Sequence, residues 1–408
     1  MTSHSDSPVL LIAGGAHSDI PMIVAARRLG FYVVTSGNDP AGLGHAYANR
    51  TELCDYSDSN ALLDLARRIR PVAICPACND FAAISAARIA LELGLPGHDP
   101  PETVEILHHK DRWREFALHE GIPSPKAIGC QSLIEAEVAC ERLKFPLVAK
   151  PVDLSGGRGM SLIETPQQAA DRIWYALKTS RAERIVIEEF TEGTRHGFTC
   201  ILRNRRPAFW MADDEHYHLS PWIVSGASTP SSLSSAVVSE LLNLATKIGH
   251  RLQLVDGILH MQLILTPQQK PVIVEVCRRP PGDLYVDFVR HATGAPYAEW
   301  IVKGFAGMDL SDVEPVATPK PFTRHCLMAD QSGAFESFDF DPTAASLIRE
   351  KMIWGKVGDV VETAERHKFG IVFLSYSSTA HMHTVVPDLQ KLLHCRTSPI
   401  EIKSTNYA

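Results

Sequence analysis

The chain has 408 residues, of which 45% are hydrophobic and 21% are charged, a balance that is typical of a globular protein with a sizeable core. Its formal net charge is −7 and no block of like charges forms a basic arm, so nucleic acid and anionic membranes are disfavoured as partners. The first residues show no secretory leader and no apolar run reaches ~18 residues, which predicts a cytoplasmic protein. The nine cysteines are scattered and odd in number, so we expect reduced thiols.

Short apolar runs and helical patterns alternate over the first hundred residues. The runs cover residues 9–14, 31–35 and 72–75, and the helical patterns cover about 20–29, 60–70 and 81–93. This alternation predicts a doubly wound α/β domain. Gly14 and Gly15 stand where a dinucleotide loop would, but the G-x-G-x-x-G spacing is absent. We therefore expect the glycines to form a tight turn and the mouth of the sheet to help form a substrate pocket.

Cys75 and Cys78 form the only C-x-x-C in the sequence. Such a pair can be redox-active or can supply half of a zinc site. No second pair stands near enough in sequence to complete a tetrahedral site, which favours a structural role.

The middle of the chain predicts an α+β piece. Helical patterns cover residues 101–120, 165–180 and 235–252, and apolar runs cover 147–150 and 185–190. Two further runs, 257–265 and 272–277, flank a turn and predict a β-hairpin. The last hundred residues have short runs at 356–361 and 370–376 and a helical pattern near 386–393, which predicts a small, β-rich mixed domain.

A glycine-rich segment follows a buried strand and its lysine. Lys150 ends the run 147–150 and precedes Ser155-Gly156-Gly157-Arg158-Gly159. Backbone N–H groups of such a loop approach an anion closely, and a nearby ammonium suits a polyphosphate. The segment is not a Walker A loop, because the lysine precedes the glycines. A plain flexible turn is the alternative interpretation.

The predicted hairpin aligns polar side chains. Because side chains alternate along a strand, His260 and Gln262 share one face, and Glu275, Cys277 and Arg279 share a face of the partner. With residue 265 opposite residue 272, Gln262 falls opposite Glu275, and the two oxygen ligands suit Mg²⁺. Arg279 would then point to the same place and neutralise a transferring phosphoryl group. The alternative is a solvated polar face of an edge hairpin.

These features occur in a set order: Lys110, Lys150, the glycine loop, Glu188-Glu-Phe-Thr191, His260-Met-Gln262 and Glu275-Val-Cys-Arg-Arg279. In this order the chain resembles the ATP-grasp superfamily, most closely its carboxylate–amine ligase branch, and is similar to biotin carboxylase and carbamoyl phosphate synthetase over about residues 9–307. The resemblance implies an α/β and α+β protein with an ATP-grasp fold. Its domains would be a pre-ATP-grasp Rossmann-like domain at 1–105, an ATP-grasp domain at 106–310 with a lid at about 125–190, and a mixed C-terminal domain at 311–408.

The resemblance also implies the site residues and the cofactors, ATP and Mg²⁺. Arg279 would be catalytic, Gln262 and Glu275 would bind the metal and the nucleotide, and His196 would lie near the ribose. The other nucleotide-binding residues would be two lysines, a flap and an adenine hinge: Lys110, Lys150, Ser155, Gly156, Gly157, Glu188, Glu189 and Thr191. Arg278 is predicted to lie on the opposite face from Arg279.

Two residues depart from the family pattern. Cys277 stands where the family has an asparagine metal ligand, and a neutral thiol is a poor partner for a hard cation. Gln262 stands where a glutamate is common. The metal shell is therefore less anionic, which bears on the number of Mg²⁺ ions more than on ATP binding.

The implied reaction has two steps. A small carboxylate attacks the γ-phosphate of MgATP to give an acyl phosphate, and an amine then displaces the phosphate. The acidic and histidine-rich segment 213–218 and the following 220–235 form either an acceptor-site loop with a general base or a solvated loop. Two other functions stay open: a carboxylase that phosphorylates bicarbonate or formate, and an ATP-binding sensor without turnover. A homodimer is expected by analogy with related ligases.

Overall fold

The computed structural model describes residues 7–316 and 318–399, so the first six and last nine positions of the predicted terminal domains lie outside it. Within these residues the strands and helices are numbered β1–β19 and α1–α13 in chain order. The chain forms two compact units. The described part of the first is 7–212 with 232–316, and that of the second is 213–231 with 318–399.

The first unit begins with a parallel sheet in the order β3-β2-β1-β4. Its strands and helices are β1 (Val9–Ala13), α1 (Ile20–Arg28), β2 (Tyr32–Thr35), β3 (Arg50–Thr51), α2 (Ser59–Ile69), β4 (Ala73–Pro76) and α3 (Asp80–Leu93). Helices cover the sheet and bury most of β1, β2 and β4, which explains the continuous apolar runs of these three strands, whereas β3 is exposed. The predicted doubly wound α/β fold is confirmed, and its strand order reverses beside β1, where such sheets bind ligands.

The predicted helix 101–120 is two helices, α4 (Pro101–His108) and α5 (Lys110–Glu120). His109 between them has extended backbone angles, φ −102° and ψ 121°. The break redirects the chain, and the backbone N–H of Lys110 donates to the carbonyl oxygen of Val152 at 3.1 Å. The prediction of one continuous helix was wrong, because this tertiary hydrogen bond ties down the start of α5.

An antiparallel sheet in the order β5-β8-β6-β7 follows. Its strands and helices are β5 (Ala127–Cys130), α6 (Leu133–Arg142), β6 (Leu147–Pro151), β7 (Ser161–Ile163), α7 (Ala169–Thr179) and β8 (Ile185–Glu189). Both helices pack on one face of the sheet around a shared apolar core. The glycine-rich segment connects β6 to β7, the edge strand of this sheet.

The rest of the first unit is built on strands in the order β13-β12-β9-β10. Its strands and helices are β9 (Thr194–Arg203), β10 (Arg206–His216), α8 (Ser235–Arg251), β12 (Gly257–Leu265), β13 (Pro271–Cys277), α9 (Tyr285–Thr293) and α10 (Tyr297–Phe305). One face buries Phe198, Met261 and Leu263 in a core with α8 and with Trp113 of α5. The opposite face carries Gln262 and Glu275.

The second unit is β-rich, as predicted. The end of β10 continues in the order β11-β14-β18-β16, and a separate sheet has the order β17-β15-β19. The elements are β11 (Gly226–Thr229), β14 (Phe322–Met328), β15 (Gly333–Phe340), α11 (Pro342–Leu347), β16 (Ile348–Ile353), β17 (Val360–Val361), β18 (Lys368–Ser375), α12 (Thr379–Val385), α13 (Leu389–Leu392) and β19 (Leu393–Ser398). The expected helix 386–393 is a 3-10 turn and a single α-turn, and Leu393 already begins a strand.

Residues 213–216, which the sequence analysis placed in a loop, form the end of strand β10. Asp214, Glu215 and His216 pair with β11, so their backbone polar groups are used in the sheet. Among the described residues, no helix combines the length and the apolarity that a membrane span requires.

Candidate functional site

The β12–β13 hairpin brings Gln262 directly opposite Glu275 and His260 opposite Cys277. The register at the turn differs from the expected one, because Leu265 opposes Pro271 and Ile264 opposes Val272. A bulge at Val274 takes up this offset of one residue, so Gln262 still meets Glu275. The predicted pair is confirmed, although the symmetric turn assumed for it was wrong.

The Gln262–Glu275 pair lies on the face that the apolar core leaves uncovered. Gly197 of β9 stands directly opposite Gln262 on the other side, and it has no side chain to fill the space above the strands. Both Gln262 and Glu275 are partly accessible. Their oxygens therefore form a donor set that suits Mg²⁺, with room for further oxygen ligands.

Arg279 follows β13 and is buried against Asp80 at the start of α3. Its Nε donates to Oδ1 of Asp80 at 2.9 Å and its Nη2 donates to Oδ2 at 3.0 Å. Burial disfavours the charged carboxylate, but Arg279 and His108 outweigh that effect and hold the pKa of Asp80 well below its usual range. Nη2 of Arg279 also lies 3.8 Å from Oε1 of Glu275. The guanidinium thus stands between the carboxylate of α3 and the candidate metal ligand.

Arg278 points the other way, as the alternation predicts. Its Nε donates to Oδ2 of Asp99 at 2.6 Å, and its Nη2 donates to the carbonyl oxygen of Val255 at 2.8 Å. Two adjacent buried arginines are therefore each paired with a separate aspartate. Only Arg279 also lies beside Glu275, so Arg278 is part of the scaffold.

A second buried ion network joins β6, β8 and α5. Lys150 pairs with Oε1 of Glu188, and Nη2 of Arg114 donates to Oε2 of the same carboxylate at 2.8 Å. Burial lowers the pKa of Lys150 to about 8, although Glu188 acts against that shift. Burial by itself would raise the pKa of Glu188, but Lys150 and Arg114 hold it below its usual value. One carboxylate thus pairs with two cations, and one positive charge is left without a counter-charge in the network.

Arg114 also links this network to the hairpin, because its Nη2 donates to the carbonyl oxygen of Val274 at 2.9 Å. Val274 is the bulge residue, so the same side chain contacts both parts of the site. Nη1 of Arg114 is buried without a hydrogen-bond partner among the described residues. Sequence reasoning missed Arg114, since a charged residue in a helical pattern is most often solvated.

Lys110 begins α5 and approaches the glycine loop. Its Nζ donates to the carbonyl oxygen of Leu154 at 2.6 Å, one residue before Ser155. Gly156 and Gly157 have φ values of 64° and 68°, in the left-handed region that favours glycine. Lys110 also lies near enough to Lys150 to contribute to its lowered pKa. The two predicted lysines and the predicted flap are therefore neighbours.

The other predicted residues lie apart from these groups. Glu189 points to the opposite side of β8, where its Oε1 accepts from the backbone N–H of Lys144 at 3.1 Å. His196 is buried on the core face of β9, opposite Leu263, and its ring nitrogen lies 2.7 Å from Oγ1 of Thr194. Thr191 lies in the segment between β8 and β9.

A cavity of about 180 Å³ opens at the carboxyl ends of β1, β2 and β4. Its lining includes Asp19, His45, Tyr56, Cys78 and Asn79. The predicted pocket at the mouth of the sheet is therefore present. Gly15 belongs to the tight turn beside it, since a Cβ there would lie 2.0 Å from Cε1 of His45. Asp19 accepts from the backbone N–H groups of Ala16 and Cys78, while burial raises the pKa of its carboxyl group.

The cysteines of the C-x-x-C are free thiols, and burial raises the pKa of both. In the described ranges, the cluster with donor atoms close enough for a metal ion is Asp80, His108 and Cys277, and it does not include Cys75 or Cys78. Asp80 and His108 are already hydrogen-bonded to each other, and His108 also accepts from the backbone N–H of Arg278. The raised pKa values disfavour a reactive thiolate at either cysteine of the C-x-x-C.

Comparison with known proteins decides the family. The sequence profile described as "ATP-grasp domain" matches residues 114–283, a stretch that contains Arg114, Lys150 and Arg279 but not Lys110 or His108. The chain therefore contains an ATP-grasp domain at residues 114–283. The formate-dependent phosphoribosylglycinamide formyltransferase of Ignicoccus hospitalis is 26% identical over 297 residues, 69% of this chain and 71% of that protein. The enzyme of the same name from Prochlorococcus marinus is 28% identical over 184 residues, which are 44% of this chain and 47% of that protein.

Solved structures agree on the fold. The L-amino acid ligase from Bacillus licheniformis has a TM-score of 0.78 at 18% identity, covering 97% of this chain and 99% of that one. A phosphoribosylglycinamide synthetase from Anaerococcus prevotii has a TM-score of 0.75 at 16% identity, covering 96% and 100%. A third structure is the biotin carboxylase domain of the Hydrogenobacter thermophilus 2-oxoglutarate carboxylase, solved as a dimer with MgADP, ADP and bicarbonate. It has a TM-score of 0.76 at 15% sequence identity, covering 95% of this chain and 90% of that one. The predicted superfamily and its ATP-grasp fold are confirmed.

ATP-grasp enzymes use ATP with Mg²⁺, and the residues of this chain fit both. Lys110, Lys150 and the Nη1 of Arg114, which has no partner among the described residues, would supply cationic donors for phosphate oxygens. Gln262 and Glu275 would supply the hard oxygen ligands that Mg²⁺ prefers.

Proposed function

We propose that this ATP-grasp protein is an ATP-dependent ligase that activates a small carboxylate as an acyl phosphate and couples it to an amine. The observation that carries the proposal is the placement of Arg279 beside Glu275, directly across from Gln262. A carboxylate attacking the γ-phosphate needs a cation at the transferring group, and an arginine next to the metal ligands meets that need. The products would be ADP, phosphate and a compound with a new C–N bond.

In this proposal the two halves of the site have separate tasks. Lys110 and Lys150 bind phosphate oxygens, while Gln262 and Glu275 hold Mg²⁺, which neutralises charge on the phosphates when bound. Arg279 contacts the transferring group and stabilises its developing charge. The flap of Ser155, Gly156 and Gly157 closes over the phosphates and excludes water, which would otherwise hydrolyse an acyl phosphate.

We also propose that the segment after β8 binds adenine, but fewer of its groups are free to do so than the sequence suggested. The backbone N–H of Glu189 donates to the carbonyl oxygen of Lys126, and that of Phe190 donates to Pro146, both at 2.9 Å. The carboxylate of Glu188 is held in the ion network. Adenine recognition would therefore fall to Thr191 and to the hinge carbonyls, with Glu189 and His196 further from the base and the ribose.

The cavity of the N-terminal sheet is the proposed acceptor pocket. It lies where doubly wound sheets bind ligands, and its lining residues Cys78 and Asn79 directly precede Asp80, the partner of Arg279. An amine bound there would stand on the Arg279 side of the site.

The test measures ADP and phosphate release from MgATP with small carboxylates and amines, singly and in pairs, and follows the products by mass. We expect release that requires a pair and a product lighter than the sum of the pair by one water. The panel should include formate, because relatives carry the name of formate-dependent enzymes. Turnover with bicarbonate or formate alone would instead favour the carboxylase alternative. ATP binding without turnover for every combination would favour the sensor.

A homodimer is proposed for the assembly, since the Hydrogenobacter thermophilus domain was solved as a dimer. Light scattering coupled to size exclusion gives the mass in solution, and a monomer at assay concentration would exclude the proposal.

A further inference from the structure

Arg279 is fixed by a closed ring of hydrogen bonds that joins three segments distant in sequence. The two carboxylate oxygens of Asp80, in α3, accept hydrogen bonds from Nε and Nη2 of Arg279. His108, the last residue of α4, lies 2.7 Å from Oδ1 of Asp80 through Nδ1. Nε2 of the same imidazole accepts the backbone N–H of Arg278 at 3.1 Å. The chain of contacts that begins at Arg279 therefore ends at the backbone of its neighbour Arg278.

The ring defines the tautomer of His108. Nε2 accepts a hydrogen bond, so the proton of the neutral imidazole stands on Nδ1 and is donated to Asp80. His108 is fully buried, and Asp80 and Arg279 are nearly so. Each member is held by at least two partners, so the guanidinium has one orientation.

That orientation leaves a particular edge of Arg279 directed at the site. Asp80 occupies the side of the guanidinium formed by Nε and Nη2, and Nη1 donates to the carbonyl oxygen of Pro280 at 3.2 Å. Nη2 has a second proton, and the Nη2 atom lies 3.8 Å from Oε1 of Glu275. The end of the guanidinium beside the candidate metal ligand is the part that can meet a phosphoryl oxygen.

We propose that Asp80 is a positioning residue for Arg279 and that His108 is its support. The proposal rests on the ligase function proposed above and adds to it two residues of the N-terminal sheet domain and its following helix. Asp80 acts through Arg279 and touches neither ATP nor the reacting carboxylate. Cys78 and Asn79 line the proposed acceptor cavity and directly precede Asp80, the first residue of α3. The start of this helix would therefore position both the acceptor and Arg279.

The chain offers a matched control for the test. Asp99 is also buried and pairs with Arg278, the neighbouring arginine that points away from Glu275. Asp80→Asn and Asp99→Asn each remove one buried carboxylate charge from one arginine. A purely structural role predicts the same outcome for both, whereas a positioning role predicts a loss of turnover for Asp80→Asn alone.

We expect Asp80→Asn to lower kcat by about 100-fold, the size of effect that a displaced catalytic group produces, while KM for ATP and nucleotide affinity stay unchanged. Asp99→Asn should lower the melting temperature without a comparable change in kcat. His108→Gln should lower kcat less than Asp80→Asn. Equal losses of kcat in Asp80→Asn and Asp99→Asn, or a kcat for Asp80→Asn equal to that of the unchanged enzyme, would overturn the proposal.

A double variant separates action through Arg279 from independent action. In an Arg279→Ala background, Asp80→Asn should cause no further loss of turnover, because the group that it positions is gone. Losses that multiply would show that Asp80 acts by another route.

A crystal structure of the Asp80→Asn protein supplies a readout that does not depend on turnover. Displacement of the Arg279 guanidinium from Glu275 supports the proposal, and an unmoved guanidinium overturns it even when no substrate pair turns over. Failure of the ligase function and failure of the positioning role are thereby distinguished.

Discussion

The two buried ion networks of the first unit differ in charge balance. In the network of Lys150, Glu188 and Arg114, one carboxylate faces two cations, so a net positive charge remains for an anionic ligand. In the network of Asp80, Arg279 and His108, one carboxylate faces one arginine and a neutral imidazole, so the charges balance. In the proposed function, the first network would bind phosphates and the second would hold the guanidinium of Arg279 in one orientation. A buried network with an excess positive charge can attract an anionic ligand, whereas a network with balanced charge can fix the orientation of a side chain.

The largest expected effect concerns the shared carboxylate. Glu188→Ala leaves Lys150 and Arg114 buried without a counter-charge, so we expect the free energy of unfolding to fall by about 3 to 5 kcal/mol. Chemical denaturation measures it. Glu189→Ala is the matched control, because its side chain is 26% exposed and faces the other way. Equal losses in the two variants would show that the Glu188 network carries no special share of the stability.

The next effect concerns the balanced network. Arg279→Ala should lower kcat by about 10² to 10³-fold with nucleotide affinity unchanged, because it removes charge stabilisation of the transferring group. Steady-state ADP release and titration with a fluorescent ADP analogue measure the two quantities. Retained turnover would exclude the catalytic role of Arg279, and lost nucleotide affinity would move Arg279 into the phosphate-binding network.

A pH titration sharpens the contrast between the networks. The pKa of Lys150 is lowered to about 8, so its ammonium loses its proton as the pH rises through that value. Nucleotide affinity should therefore fall above about pH 8, by up to about tenfold per pH unit. Lys150→Arg is the control, since a guanidinium stays charged over this range. Its affinity should change little with pH, and an equal decline in both proteins would assign the titration to another group.

The smallest expected effect concerns the metal shell. Cys277 lies beside Glu275, with its Sγ 3.6 Å from Oε1, and burial raises the pKa of its thiol. Cys277→Asn would add an oxygen ligand, and we expect the Mg²⁺ concentration for half-maximal turnover to fall a few-fold. Cys277→Ala, which adds no ligand, should leave it unchanged. The same shift in both variants would mean that removing the thiol, rather than adding an oxygen, is responsible.

The sequence predicted much of the site because that part depends on local periodicity. Alternation along two strands placed Gln262, Glu275 and Arg279 on one side and Arg278 on the other, and the structure agrees. The pairing survived an error in the turn, because the bulge at Val274 restored the register. The ordered set of motifs predicted the superfamily that the comparison then showed.

Other features had no local signal. Asp80, His108 and Arg114 lie between 74 and 199 residues from their partners in β8 and the hairpin, and Asp80 and His108 lie 28 residues from each other. Each resembles an ordinary polar residue of a helix. The break at His109 and the strand at 213–216 were missed for the same reason, since tertiary hydrogen bonds override helix and loop patterns there.

The amino-acid sequence by itself determined which residue types recur at which spacing, and hence the parallel sheet, the polar hairpin and the glycine loop. Those features follow from backbone geometry over a few residues. Only the tertiary structure decided which buried charges meet, because an ion pair between distant segments depends on how sheets and helices pack. For this protein that packing gives Arg279 its carboxylate and gives Glu188 its two cations.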